Sequence, residues 1–445
     1  TEQRLLAVAL NRSGLAVAVG GFGSVLVSHD AGERWEAPVF DWPTIVEDFA
    51  DPHLYDVDVS DAGVITLVGE FGIVMRSEDA GKTWQQVYTQ KKQGGGWMSR
   101  GLEVTTSYAI VFDPFNRDHA FIATTDIGLM ESNDGAESWS SATVNNGIPR
   151  SWINSTYWLT FDPQVKGKAW AAMSGTHDLP RPKMWRRSGI SNYKGGILVT
   201  ENSGASWQPV SAGIGEAAIT HILIDPLSAK NNRTLYACAF GKGVYKSTDG
   251  GKTWQQKNNG IEGKEPFAWR ITRREQDGVL FLVVCRRGED GSIGNEGDGA
   301  VYRSDDGAET WKKMLLPQET NGPMSLVVDA DNPERLLLSA WGRKTKKEFT
   351  PDIGGGIFIS KDEGKSWIPV LQNDQHIHDI TYDPRIKTFY ACGFNSAAYQ
   401  SQDGGETWQR ITGYDFKWGK RVDLDPRDST KIFIITFGGG VWQGK

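Results

Sequence analysis

The sequence predicts an all-β fold, a β-propeller of four-stranded antiparallel blades, and three observations predict it. A Ser-x-Asp-x-Gly-x-Thr-Trp pattern recurs with drift eight times along the chain. The 445 residues include 52 glycines and 18 tryptophans, a profile suited to short strands joined by tight turns. No stretch carries the period of a long amphipathic helix.

The eight copies run Ser28–Trp35, Ser77–Trp84, Ser132–Trp139, Thr200–Trp207, Ser247–Trp254, Ser304–Trp311, Ser360–Trp367 and Ser401–Trp408. Their third position is Asp30, Asp79, Asp134, Asn202, Asp249, Asp306, Asp362 and Asp403. A short Asx side chain accepts backbone N–H bonds inside a tight turn, so these residues are expected to build corners rather than ligate metal. The same frame surrounds each copy. A first strand ends in Phe112-Asp113-Pro114, Phe161-Asp162-Pro163, Ile224-Asp225-Pro226, Tyr382-Asp383-Pro384 or Leu424-Asp425-Pro426. An apolar second strand follows, then a glycine-rich bend and a third strand, and the fourth strand starts at the Trp. Spacings of roughly 40–70 residues fit one blade each.

The blade units fall near 1–40, 52–90, 104–143, 156–210, 218–257, 267–315, 323–370, 376–412 and 420–445. The preferred closure is a single ring of eight or nine blades over the whole chain, because two isolated blades would leave an apolar face uncovered. The alternative is a seven-bladed ring from about residue 94 plus two extra N-terminal blades. In that ring Trp97 to Val104 supplies the last blade's outer strand, and an internal boundary falls near 91–97.

Composition narrows the function classes. The net charge of −7 comes with no Lys/Arg-rich block, which argues against nucleic acid. No apolar run approaches the ~18 residues of a membrane span. Cys238, Cys285 and Cys392 occupy equivalent apolar runs in different repeats, so they read as small buried core residues and not as a disulfide, redox or metal set. No cofactor is expected.

In an up-down meander, the turns after strands one and three share one rim, and those after strands two and four share the other. The repeated corners take the first rim. The long insertions Ser174–Lys194, Arg286–Gly299 and Trp341–Gly355 all follow a second strand, so they share the opposite rim, where loops on a rigid scaffold carry function.

The repeated corner resembles the Asp box, or BNR repeat, of sialidases, sortilin-type receptors, xyloglucanases and photosystem II assembly factors, in which it joins the third and fourth strands of a blade. Blades one and two, with Val-Gly-Gly-Phe-Gly and Val-Gly-Glu-Phe-Gly, look like the assembly-factor type. From Gly94 onward, Gly-Gly-Gly-Trp, Ile110 to Pro114 and Thr125-Asp126-Ile127-Gly128 resemble the opening of the xyloglucanase family's first propeller. That resemblance implies a glycoside hydrolase, secreted or periplasmic, whose leader is not visible in this chain. It makes Asp126 the catalytic base of an inverting hydrolysis. Two departures stand against it: the family's general acid comes from a second propeller, and its Gly-Gly after the Asp is Gly128-Leu129 here. The sialidase Arg-Ile-Pro signature is missing.

Inverting chemistry needs a partner carboxyl roughly 6.5–9.5 Å away, and Asp178, Glu289 and Asp290 are candidates by rim position, Asp178 foremost. Asp126 also has a plain reading as a turn Asx residue. The polar cluster His177, Asp178, Arg181, Lys183 and Trp185 suits an acidic sugar through charged hydrogen bonds and ring stacking; as a bland alternative it is a solvated loop. Trp152, Trp158, Arg286 and Trp341 complete the expected substrate-binding set. The acidic run from Arg286 to Asp298 lacks the spacing of a calcium loop. The expected partner is a polysaccharide or oligosaccharide. The alternative is a non-catalytic propeller that binds a protein or glycan.

Overall fold

The computed structural model describes residues 4–42, 51–70, 73–87, 89–91, 97–99, 105–143, 146–180, 193–285, 299–343, 352–395, 397–414 and 417–444. The chain forms two compact units, residues 1–103 and 104–445. Arg181, Lys183, Trp185, Arg286, Glu289 and Asp290 lie outside the described residues.

The smaller unit holds a three-stranded sheet (Leu5–Leu10, Ala16–Gly20, Val25–Ser28) and a four-stranded one (Leu54–Val59, Ile65–Gly69, Val74–Ser77, Gln85–Gln86). They share a core of Val17, Val19, Val27, Leu54, Ile65 and Leu67. Trp97–Ser99 pairs with Thr89–Lys91.

The larger unit holds seven antiparallel sheets among its described residues, each a meander in chain order. Their first strands are Ser107–Phe112, Ser155–Phe161, Ile219–Ile224, Ala268–Arg273, Pro323–Val328, Ile377–Asp383 and Gly419–Leu424; the sheets are called one to seven below. Each first strand packs on the next, and the seventh packs back on the first. The chain is thus a β-propeller, and within the larger unit the last sheet packs back on the first. The closing contacts show why. Asp423 of sheet seven accepts the Ile110 backbone N–H at 2.8 Å, Phe433 meets Phe112 with ring centroids 5.3 Å apart, and Arg427 donates to the Arg117 carbonyl.

The Asp-Pro turns do two jobs. Asp113, Asp162, Asp225, Asp383 and Asp425 each accept the backbone N–H two residues on, the Asx turn. Several also anchor an arginine that reaches another sheet: Arg385 pairs with Asp383 and donates to the Asp425 carbonyl. Arg233 of sheet three, fully buried, pairs with Asp162 of sheet two at 2.7 Å.

The Asp boxes form as expected between third and fourth strands. In the box at Ser304, the Ser304 hydroxyl donates to Asp306 at 2.8 Å, and Asp306 accepts both the N–H and the hydroxyl of Thr310. Asn202 accepts the Ser206 N–H through its amide oxygen and donates its amide N–H to the Ser206 hydroxyl. Six of the eight box tryptophans divide into two groups. Trp35, Trp84 and Trp408 donate their indole N–H to their own box. Trp254, Trp311 and Trp367 reach instead to carbonyls of the preceding sheet, Val210, Lys257 and Leu315. All three cysteines are buried, as read from their apolar runs.

Candidate active site at the propeller mouth

One irregularity recurs in every sheet of the larger unit. Pairing of the first strand with the second slips by one residue near its start, leaving Tyr108, Tyr157, Thr220, Trp269, Met324, His378 and Lys420 as bulged positions. A bulge re-aims the side chain it carries. Tyr157 of sheet two meets Trp269 of sheet four at 6.0 Å, a contact between sheets that are not neighbours, so these residues converge on the ring axis. Tyr108 packs on Tyr157 at 4.6 Å, and the Lys420 ammonium lies 3.9 Å from the Tyr108 ring centroid.

The residue after each bulge forms a second layer, again joined across the axis. Arg421 and Arg270 both lie over the Trp158 ring, at 4.7 and 5.0 Å, and His221 packs on the same ring at 4.6 Å. Arg421 bridges Asp379 and Asp423, each at 2.5 Å. Arg270 bonds only backbone carbonyls, those of Thr220 and Trp269, and burial lowers its guanidinium to about 10. Burial, then the charges of Arg270 and Arg421, push His221 well below the ordinary histidine range. The axis is therefore filled with side chains under its mouth.

The mouth lies on the rim of the strand two to three loops, and there Asp126, His177 and Asp178 come together. The Asp126 Oδ1 is 3.3 Å and the Asp178 Oδ2 3.9 Å from His177 Nδ1. Those two oxygens can be no farther apart than these distances laid end to end, a bound that admits the roughly 5–5.5 Å of retaining pairs as well as the short end of the roughly 6.5–9.5 Å of inverting ones. The side chains of Asp126 and His177 are 51% and 41% exposed, and that of Asp178 is 13% exposed. Both aspartates sit in left-handed backbone, at φ of 63° and 56°, which Asp tolerates better than most residues.

Each segment is pinned by its neighbours. The Thr105 hydroxyl donates to the Thr125 carbonyl and to Asp126 at 2.8 and 3.2 Å, and Thr125 bonds Ser155 of sheet two. Gly128, at φ 75°, must be glycine: a Cβ there would come within 2.4 Å of the Ile153 carbonyl. The 176–179 turn hangs on one bulged residue. Tyr157 donates to the Thr176 carbonyl at 2.7 Å and accepts from the Leu179 N–H at 3.0 Å, with His177 and Asp178 held between. Burial pushes the Tyr157 phenol well above its ordinary range, so it keeps the proton it donates.

Other expected binding residues are placed differently. Trp152 is buried, its indole N–H bonded to Glu216 at 3.2 Å, so it packs as core and offers no face to a ligand. Trp158 belongs to the axial layer. Trp341 does lie on the mouth's rim, among His376, His378 and Phe394. Sequence reasoning missed Tyr157, Thr105 and Lys420; the Tyr and Lys differ from ordinary strand residues only by the bulge. Among the described residues, no three His, Cys, Asp or Glu side chains are placed to hold a metal ion, and no helix is long and apolar enough to cross a membrane.

Comparison with known proteins adds three findings. A family model described as sortilin, neurotensin receptor 3 (Sortilin-Vps10) matches residues 242–378. The oligoxyloglucan-reducing end-specific xyloglucanase of Emericella nidulans is 23% identical over 360 residues, 75% of this chain and 36% of that protein. A xyloglucanase of Hypocrea jecorina is 23% identical over 343 residues, 74% of this chain and 33% of that one. This chain thus spans about a third of the length of these relatives. The crystal structure of an extracellular domain from B. thetaiotaomicron shares the fold, with a TM-score of 0.50 at 12% identity over 99% of this chain and 52% of that one. The repeated corners, the closed ring of meanders and these matches agree: the chain is an Asp-box β-propeller protein, similar to xyloglucanases over about three quarters of its length.

Proposed function

We propose that the protein is a glycoside hydrolase acting on a polysaccharide or oligosaccharide at the mouth of the larger unit. The observation that carries this reading is the meeting of Asp126 and Asp178 at His177, on the rim opposite the Asp boxes. Asp126, the more open carboxylate, takes a proton from the attacking water. Asp178, beneath it, delivers a proton to the departing glycosidic oxygen, and His177 holds the two at a fixed separation. Two carboxyls divided in this way are the minimum for hydrolysis of a glycosidic bond. The likeness to xyloglucanases supports a β-glucan backbone as the substrate class, and the rim aromatics suit its pyranose faces.

A second reading, glycan binding without turnover, is favoured by one feature. Asp126 is already engaged by the Thr105 hydroxyl and by His177, as a structural turn residue would be. Reducing-end release from a panel of β-glucans and xyloglucan separates the two. Wild type should release sugar, and Asp126→Asn should lose about a hundredfold or more in rate, the scale of a lost general base. Equal turnover removes Asp126 from the mechanism; binding with no release by wild type selects the second reading.

A further inference from the structure

We propose that Tyr157 is a positioning residue: its phenol stands inside the 176–179 turn, in place of the turn's own hydrogen bond, and fixes how far His177 and Asp178 reach toward Asp126. This rests on the hydrolase reading above and adds what sets the separation of its two carboxyls.

In a hydrogen-bonded β-turn the first residue's carbonyl accepts directly from the fourth residue's N–H. In the segment Thr176-His177-Asp178-Leu179 those two groups both meet the Tyr157 hydroxyl instead. It donates to the Thr176 carbonyl at 2.7 Å and accepts the Leu179 N–H at 3.0 Å. Asp178, third in the segment, has the left-handed backbone, φ 56°, that a type II turn demands at that position. The chain here is shaped for a closed turn and held open by a side chain. A hydroxyl bonded to both groups keeps them roughly 4.5 Å apart, whereas a direct bond would draw them to about 3 Å.

The wedge is rigid, and both ends of the turn are anchored. Tyr157 is fully buried, its ring packed on Tyr108 at 4.6 Å and on Trp269 of sheet four at 6.0 Å. Ser174, the last residue of its strand, accepts the Thr176 N–H at 2.8 Å and donates to the Thr176 carbonyl at 3.0 Å. Leu179 is buried in the same cluster as Tyr157. His177 and Asp178 are the two residues between these anchors, and from there His177 meets Asp126 at 3.3 Å. The repeat does not require such a wedge. Thr220, the equivalent residue of sheet three, gives its hydroxyl to the Ala268 and Trp269 carbonyls, and Met324 of sheet five has no hydroxyl to give.

The consequence for the proposed chemistry is geometric. Removing only the phenol oxygen frees less volume than a water's share of the liquid, about 30 Å3, so Tyr157→Phe draws the turn together rather than admitting solvent. His177 and Asp178 then leave the place from which they face Asp126. A misplacement of about 1 Å between groups that act together costs on the order of a hundredfold in rate. Substrate contacts elsewhere on the rim are untouched, so the loss falls on turnover and not on binding.

The test compares the full chain as wild type and as Tyr157→Phe, which keeps the ring and its packing. On xyloglucan and the β-glucan panel, Tyr157→Phe should lose about tenfold to a hundredfold in kcat with KM within about twofold of wild type. Its melting temperature should fall by no more than a few degrees. Equal kcat, or a loss confined to KM, overturns the positioning role. A second measurement needs no turnover. The NMR signal of the His177 ring, assigned by its loss in His177→Gln, should shift on Asp126→Asn in wild type and stay in place on Asp126→Asn in the Tyr157→Phe background. A shift of the same size in both backgrounds, or in neither, overturns the proposal. A wild type inactive on every glucan that still shows this dependence on Tyr157 removes the hydrolase reading and leaves the positioning role standing.

Discussion

The carboxylate of Asp306 accepts the hydroxyl and the backbone N–H of Thr310, and these bonds hold it down to about 2. Asp79 and Asp362 are lowered to about 2 in the same way by Thr83 and Ser366, and Asp403 reaches about 2 through Thr407 against an opposing burial effect. Because each folded-state value lies below the unfolded one, near 3.9, their contribution to stability is complete above pH ~4 and is lost as pH falls through about 2. Asn202 shows that an amide fits the same corner. Replacing all four aspartates by Asn should therefore lower the melting temperature at pH 7, where the charged contribution is complete, and flatten its fall between pH ~4 and ~2. Parallel curves for the two proteins would show that the corners do not set acid stability. These residues were readable from sequence because every bond in the box spans at most four positions. Tyr157 was not, since its role comes from a turn 19 residues away in the chain.

Among strands, the informative event is the slip in pairing that repeats in each first strand. Sequence alternation alone does not reveal it, because a bulge belongs to a pair of strands rather than to one of them. The sequence puts Trp152 and Trp158 alike in the expected binding set, whereas one is core and the other lies in the axial layer beside the bulge at Tyr157. The same strands carry the closure. Asp423 both accepts from Ile110 and pairs with Arg421, so Asp423→Ala strands a buried guanidinium bond and a backbone donor together. The expected cost is about 3–5 kcal/mol, the usual penalty for breaking a buried pair. Calorimetry should show the larger unit's melting transition move down by several degrees. A shift below about one degree would place the closure elsewhere.

For the molecule, the division at residues 103 and 104 separates two cores with no shared cluster members. Residues 104–445 expressed alone should fold to a β-rich, cooperatively melting protein and keep whatever glycan binding the full chain has, because Asp126, Tyr157, His177 and Asp178 all lie within them. An unfolded or aggregated product would mean that the smaller unit is required for the ring. The propeller class, and the rim on which Asp126, His177 and Asp178 meet, were legible from repeat order. The packing of Gly419–Leu424 on Ser107–Phe112 was not: these strands lie more than three hundred positions apart, and no local pattern records their complementarity.

The seven inserted residues also have an evolutionary meaning. Each occupies an equivalent address in its own strand, outside the regular ladder, although the buried Thr220 hydroxyl also ties its sheet to the Ala268 and Trp269 carbonyls of the next. Exchanging Met324 or Lys420 therefore changes the lining of the axis and leaves the ladder pairs on either side in place. A scaffold so arranged can drift from one ligand to another by single codon changes at fixed sites, keeping its architecture while its specificity wanders.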